Sequence, residues 1–236
     1  MTSILLALAA SLAALAGGPA TPDAFPQPET LRYNVNWPSG LALGEAEMRA
    51  ARIEIDDAPG YRWEFSLRLE AAIPGFSVVD KHRSLVTAEL CSLELEKLAE
   101  RGKRSTKERT TFDSKSGLAT RETLGGGGKS EFSIPACARD GLAFLYYLRR
   151  ELGQGRIPPS QTVFFGGPYN VRLEYGGRQT VIVGDQRTDA DRIQISAKGK
   201  ASDTAFEIFF ALDAARTPLL IRLPLAMGTF SMELAR

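Results

Sequence analysis

Residues 61–70, YRWEFSLRLE, decide the architecture. Tyr61, Trp63, Phe65, Leu67 and Leu69 alternate with Arg62, Glu64, Ser66, Arg68 and Glu70. An extended chain sends successive side chains to opposite faces, so this run buries one face in a core and shows the other to water. On either side the habit recurs in short runs: 30–37, 43–55, 77–88, 93–98, 104–112, 118–124 and 129–134. A second set covers 161–165, 169–175, 180–184, 192–198, 205–212, 219–225 and 229–234. Turn-forming residues separate them at Pro38-Ser39-Gly40, at 56–60 (DDAPG), at 113–117 (DSKSG) and at Gly176-Gly177. Short strands so spaced predict a mostly β fold, an antiparallel β-sandwich or open barrel.

One segment breaks the period. In residues 140–153, DGLAFLYYLRRELG, Leu142, Leu145, Leu148 and Leu152 recur at helical spacing. Asp140 stands where an N-cap is needed, Arg149 and Arg150 fall in the last turns, and Gly153 ends the run. The prediction is one amphipathic helix whose Leu and Phe stripe packs on the sheets. Residues 153–160 then form an irregular link between the two strand sets.

Composition narrows the classes. Hydrophobic residues at 44% and charged residues at 24% are those of a globular protein, excluding collagen, coiled coil and disorder. With 29 basic and 28 acidic side chains the net charge is +1, which argues against a nucleic-acid binder. Residues 1–22 carry no charged side chain. Residues 4–16, ILLALAASLAALA, are too short to cross a bilayer but match the apolar core of a signal peptide, and Ala14-Leu15-Ala16 supplies the small-x-small cleavage pattern. The reading is a signal peptide over 1–16, a Pro-rich tether over 17–29 and a single β-rich domain over 30–236. No transmembrane segment remains after cleavage, and the expected location is periplasmic or secreted. Two cysteines, Cys91 and Cys137, suit an oxidising compartment. As a structural disulfide they close a loop of about 47 residues, which removes about 4 kcal/mol of unfolded-state freedom in the chain-entropy model; two free buried thiols are the other reading.

Candidate chemistry is sparse. Gly125-Gly126-Gly127-Gly128-Lys129-Ser130 resembles the end of a phosphate-binding loop, but Thr123 stands where its first Gly belongs and a strand, not a helix, follows. It reads as a hairpin tip. The single His82 lies on the polar half of a strand, and no nucleophile elbow accompanies it. Glu45 with Glu47, and Asp189 with Asp191, are carboxylate pairs of the kind glycosidases use, and equally ordinary exposed strand residues. Lys97, Arg101, Lys103, Arg104, Lys107 and Arg109, against Glu100 and Glu108, form a basic run that suits anionic lipid or acidic glycan, or a charged hairpin that keeps an edge from pairing. No metal or cofactor site is expected.

Several stretches together resemble the exported bacterial family known as domain of unknown function 3108. They are residues 31–37 (LRYNVNW), Leu43-Gly44-Glu45-Ala46, Thr111-Phe112-Asp113, the helix motif with Asp140, Leu145, Tyr147, Leu148 and Arg149, residues 213–219 (DAARTPL) and residues 225–234 (LAMGTFSMEL). The resemblance implies a signal peptide and a mostly antiparallel β domain, and it supplies no catalytic residues. The functional expectation is a non-enzymatic exported envelope protein that binds an apolar or amphiphilic ligand or an envelope partner: lipid, glycan or protein, not nucleic acid. The alternatives are an assembly factor acting through its surface and an envelope glycan hydrolase.

Overall fold

Strands form where apolar and polar residues alternate, and the turn residues fix where each one stops. The computed structural model describes residues 25–55, 60–73, 76–200, 202–225 and 228–235; the 1–16 segment and the first part of the tether lie outside them. The first strand set comprises β1 (Glu29–Asn36), β2 (Ala42–Glu54), β3 (Tyr61–Ile73), β4 (Phe76–Val86), β5 (Ser92–Arg101), β6 (Arg104–Asp113), β7 (Leu118–Thr123) and β8 (Lys129–Ser133). The short β9 (Arg139–Asp140) leads into α1 (Gly141–Gly153). Then follow β10 (Gln161–Phe164), β11 (Pro168–Val183), β12 (Gln186–Gly199), β13 (Asp203–Ala211), β14 (Pro218–Leu225) and β15 (Gly228–Leu234).

Among the described residues all fifteen strands belong to one sheet, in the order β8-β7-β6-β5-β4-β3-β2-β1-β15-β14-β13-β12-β11-β10-β9. Neighbours are antiparallel except β9 and β10, which run parallel. One continuous sheet makes this an open barrel and not two facing sheets. The sheet rolls until the β9–β10 end meets the inner face of β5–β7, where Phe112 and Phe164 pack edge to face at 5.4 Å and Ser92 N–H donates to Ala138 O at 2.8 Å. Side-chain packing and that one backbone bond, with no ladder between β8 and β9, hold the two ends together.

Two local features differ from the sequence reading. Residues 168–183 form a single strand, and Gly176-Gly177 is a bulge in it, with Gly177 at φ +82° and the register against β12 shifting between Tyr175 and Arg178. A turn dipeptide inside a strand bends it without ending it. The bend lets Val181, Val183 and Ala190 cover Phe209 and Leu220, so β13 is buried on both faces, with Ile208 and Phe210 on the inner side. Close approach between β2 and β3 requires Gly44, where a Cβ would lie 1.9 Å from Glu70 O.

The helix is also more enclosed than an amphipathic stripe predicts. Leu142, Ala143, Phe144, Leu145, Tyr146, Leu148, Arg149 and Leu152 are all buried, because the rolled sheet wraps both flanks of α1. Leu145, Leu148 and Leu152 meet Tyr33, Met48, Ile193 and Phe210. Leu142 and Tyr146 meet Trp63 and Val86, and Tyr146 stacks on Phe65 with ring centroids 3.9 Å apart.

Each end of α1 is fastened by a buried charge. Asp140, fully buried, caps the amides of Leu142 and Ala143 at 2.9 and 3.2 Å with one carboxylate oxygen. Its other oxygen accepts from Ser84 Oγ on β4 at 2.5 Å and Ser92 Oγ on β5 at 2.7 Å. Burial pushes this carboxyl above the usual carboxylate range despite those four donors. Arg149 pairs with Glu29 through two nitrogens, and its Nε donates to Ala215 O and Arg216 O in the β13–β14 turn at 3.0 and 3.2 Å. The rings of Phe25 and Tyr146 lie 4.6 and 4.9 Å from its guanidinium. The part of the proposed tether that is described, 25–29, is therefore packed: Phe25 stacks over the helix and Glu29 opens β1. Near the other end, Cys91 and Cys137 are joined by a disulfide that links the β4–β5 turn to the segment entering α1.

Removing either charge strands its partners. Asp140→Ala loses the cap and leaves two buried hydroxyls and two amides without their acceptor, an expected loss of about 3 kcal/mol in chemical denaturation. Arg149→Met leaves Glu29 and two turn carbonyls unpaired and is expected to cost about 3–5 kcal/mol, of which Glu29→Gln in the same chain restores part.

Candidate functional site

The inner face of β4 is Val78, Asp80, His82, Ser84 and Val86, and on β5 Leu95 and Lys97 stand opposite Ser84 and His82. His82 therefore points inward, not toward solvent with the polar half of its strand. Ser84 is fully buried by the Asp140 contact, and His82 beside it shares that side of the sheet. Burial, then the adjacent Lys97, lowers its pKa from 6.5 to about 4, so the ring is neutral at pH 7.

His82 and Lys97 sit at one end of a cavity of about 270 Å³ between α1 and the sheet. Leu145 and Leu148 of the helix motif face it, along with Phe144, Ile195 and Ile208. Met48, Phe206 and Ile221 separate it from a second cavity of about 440 Å³, lined by Val35, Leu69, Val78, Phe230 and Met232. Apart from Ser231 the lining of the second is apolar. The two together fall within the usual range of ligand pockets.

The first cavity continues past Phe165 and Gly166 into a basin of about 400 Å³ that holds Lys97, Arg121, Lys200 and Glu108. Arg121 donates to Gly166 O and lies 5.7 Å from the Phe132 ring centroid. Gly141 makes room for Phe165, whose ring would be 2.8 Å from a Cβ at that position.

The remaining sequence candidates lie elsewhere. Tyr147 is on the outer edge of α1, with the Arg139 guanidinium 3.8 Å from its ring. The basic run divides between faces. Lys97 turns inward, Arg101 pairs with Asp80 at 2.6 Å, and Arg109 pairs with Glu96 at 2.7 Å on the outer face. Among the carboxylate pairs, Glu47 is bonded to Arg32, Asp189 accepts from Thr180, and Asp191 accepts from Tyr175 and Arg216. Gly125–Gly128 closes the β7–β8 hairpin, Thr123 N–H donating to Gly128 O at 3.0 Å. A more polar groove of about 670 Å³ runs along the outer face of β11–β15 beside Trp37 and Pro38; its Glu207 is paired with Arg192. Among the described residues no group of three or more His, Cys, Asp or Glu side chains gathers as for a metal, and no helix is long and apolar enough to cross a membrane. From sequence Lys97 is named only as part of the basic run and Arg121 not at all, because both sit in strands whose other face is also charged, which hides their inward parity.

The rolled sheet with one enclosed helix and a hollow beneath it defines a class, the barrel-like β proteins. Residues 32–235 match the model of the protein family of unknown function DUF3108, and the chain belongs to that family. No curated protein matches. Among solved structures, the crystal structure of a beta-barrel-like protein of the domain of unknown function DUF1849 from Brucella abortus superposes with a TM-score of 0.59 at 11% identity, covering 89% of this chain and 96% of that one. At that identity the likeness is one of fold.

His82 gives the site a measurable signature. Unfolded, it takes a proton near pH 6.5; folded, only near 4. The unfolded state thus binds more protons in that window, and stability present above pH 6.5 is lost as the pH falls through it, by about 2–3 kcal/mol. Relative to His82→Gln, which does not titrate, the wild-type unfolding free energy is expected to fall by that amount between pH 7 and about pH 4.

Proposed function

We propose that this chain is a non-enzymatic exported protein, periplasmic or secreted, that binds an apolar or amphiphilic ligand between α1 and the sheet. The observation that carries the reading is a pair of adjoining, mainly apolar cavities: one of about 270 Å³ beneath a helix fastened at both ends, with His82, Lys97 and Asp140 at its polar end, and one of about 440 Å³ lined by strand residues alone. Cavities lined by apolar side chains hold water poorly, so an alkyl chain entering them is transferred from water at about 0.8 kcal/mol per methylene. The apolar leader and the disulfide support export. Of the carboxylates singled out for hydrolase chemistry, Glu47, Asp189 and Asp191 are engaged by hydroxyls and arginines outside this hollow, which favours binding over catalysis.

Native mass spectrometry of the exported protein, after gentle extraction, is expected to show a bound species of alkyl-chain character. Ile221→Trp, at the junction of the two cavities, is expected to abolish that species while leaving the circular dichroism spectrum and the disulfide unchanged. A wild type that binds neither a co-purified species nor added decanol would overturn the reading.

A further inference from the structure

The two ends of the hollow differ in charge, and that difference specifies the ligand further. At its far end the second cavity is lined by Val35, Leu69, Val78, Phe230 and Met232 with no charged side chain. At the near end, where the first cavity opens past Gly166, stand Lys97, Arg121 and Lys200, with Glu108 as the one carboxylate of that basin. Lys97 lines both the apolar cavity and the basin, so its ammonium stands at the boundary between them. Among the described residues it makes no ion pair: Asp80, on the same inner face, is taken by Arg101, and Glu108, opposite Lys97 in register, does not reach it. By contrast, outer-face arginines 32, 68, 83 and 109 each hold a glutamate. The position that a Cβ on Gly166 would occupy lies 3.5 Å from Lys97 Nζ and 3.9 Å from Arg121 NH1, so two cations converge on one open point of the rim.

We propose that this end recognises an anionic head group, a carboxylate or a phosphate, on a single alkyl chain whose tail lies along the apolar cavities. The inference rests on the ligand-binding reading above and adds the class and orientation of the ligand. An oxyanion at the rim accepts hydrogen bonds from Lys97 and Arg121, while the neutral His82 ring flanks it without adding charge. A cationic amphiphile meets three like charges there, and a neutral one leaves the two cations unanswered. Phosphate from a lysophospholipid and carboxylate from a free fatty acid share this chemistry.

Titration calorimetry of the full-length mature protein, below the critical micelle concentration, separates the outcomes. The probes are decanoate, decyl phosphate, decanol and decyltrimethylammonium. Decanoate or decyl phosphate is expected to bind about tenfold or more tightly than decanol, and the cationic probe most weakly. Whichever anion binds more tightly names the source of the head group. Lys97→Met is expected to bring the anion-to-decanol ratio toward one. If that variant fails to fold, raising the salt with the wild type is expected to weaken the anions and leave decanol unaffected. Equal affinity for decanol and the anions, or a preference for the cation, overturns the head-group assignment and leaves the cavity reading standing. Failure of all four probes, decanol included, overturns both.

Discussion

The fold depends on a helix held by one buried charge at each end. Asp140 draws its donors from β4, β5 and the helix itself; Arg149 draws its acceptors from β1 and the β13–β14 turn. The nine residue steps of helix from one to the other span about 13.5 Å. Three strand spacings, from β4 across to β1, span about 14 Å. The helix thus lies across the strands as the chord of an arc and sets how far the sheet can curl. Isolated buried charges are unfavourable by several kcal/mol, so each is tolerable only where every partner is in place. Only one position of α1 meets both conditions, and the disulfide at Cys91–Cys137 ties the same corner covalently.

Fastening the ends relieves the middle of the helix from filling the space beneath it. In a core held by packing alone, Leu145 and Leu148 would settle onto Met48 and Ile208 until the voids closed, because each gap forfeits dispersion contacts. Here the ends are held by hydrogen bonds that weaken if the helix sinks. A hollow under the centre is the geometric consequence, and the open edge between β8 and β9 leaves the roll without the continuous ladder that would force a fixed barrel radius.

Local features of this structure were legible in the sequence and distant ones were not. Period-two alternation located the strands of the first set within a few residues, and the cap-to-glycine span located α1, since both signals lie within one element. The enclosure of the helix was not legible, because Ala143, Tyr146 and Arg149 lie off the Leu and Phe stripe and are buried only by a sheet from elsewhere in the chain. Phe25 and Glu29 were read as tether for the same reason: their partners, Tyr146 and Arg149, lie more than 100 residues away, and a Pro-rich run has no period to betray a contact. Gly176-Gly177 was read as a turn because glycine marks a bulge and a turn alike; register against β12 decides, and register is a property of two strands.

The candidate site shows the same limit in sharper form. Its apolar half follows from residues that any core reading would place inside, such as Met48 and Ile208. Its polar half depends on the parity of a few charged residues, and parity is ambiguous when both faces of a strand carry charge. In β5, Glu96 and Lys97 are adjacent, one bonded to Arg109 outside and the other facing the cavity. Composition counts both as solvated. Only the registers His82 to Lys97 and Ser84 to Leu95, anchored by the burial of Ser84 against Asp140, settle which of the two is inside. The same buried aspartate that fixes the helix therefore also fixes the register that turns Lys97 toward the hollow, and the architecture of the fold and the chemistry of its opening share one origin.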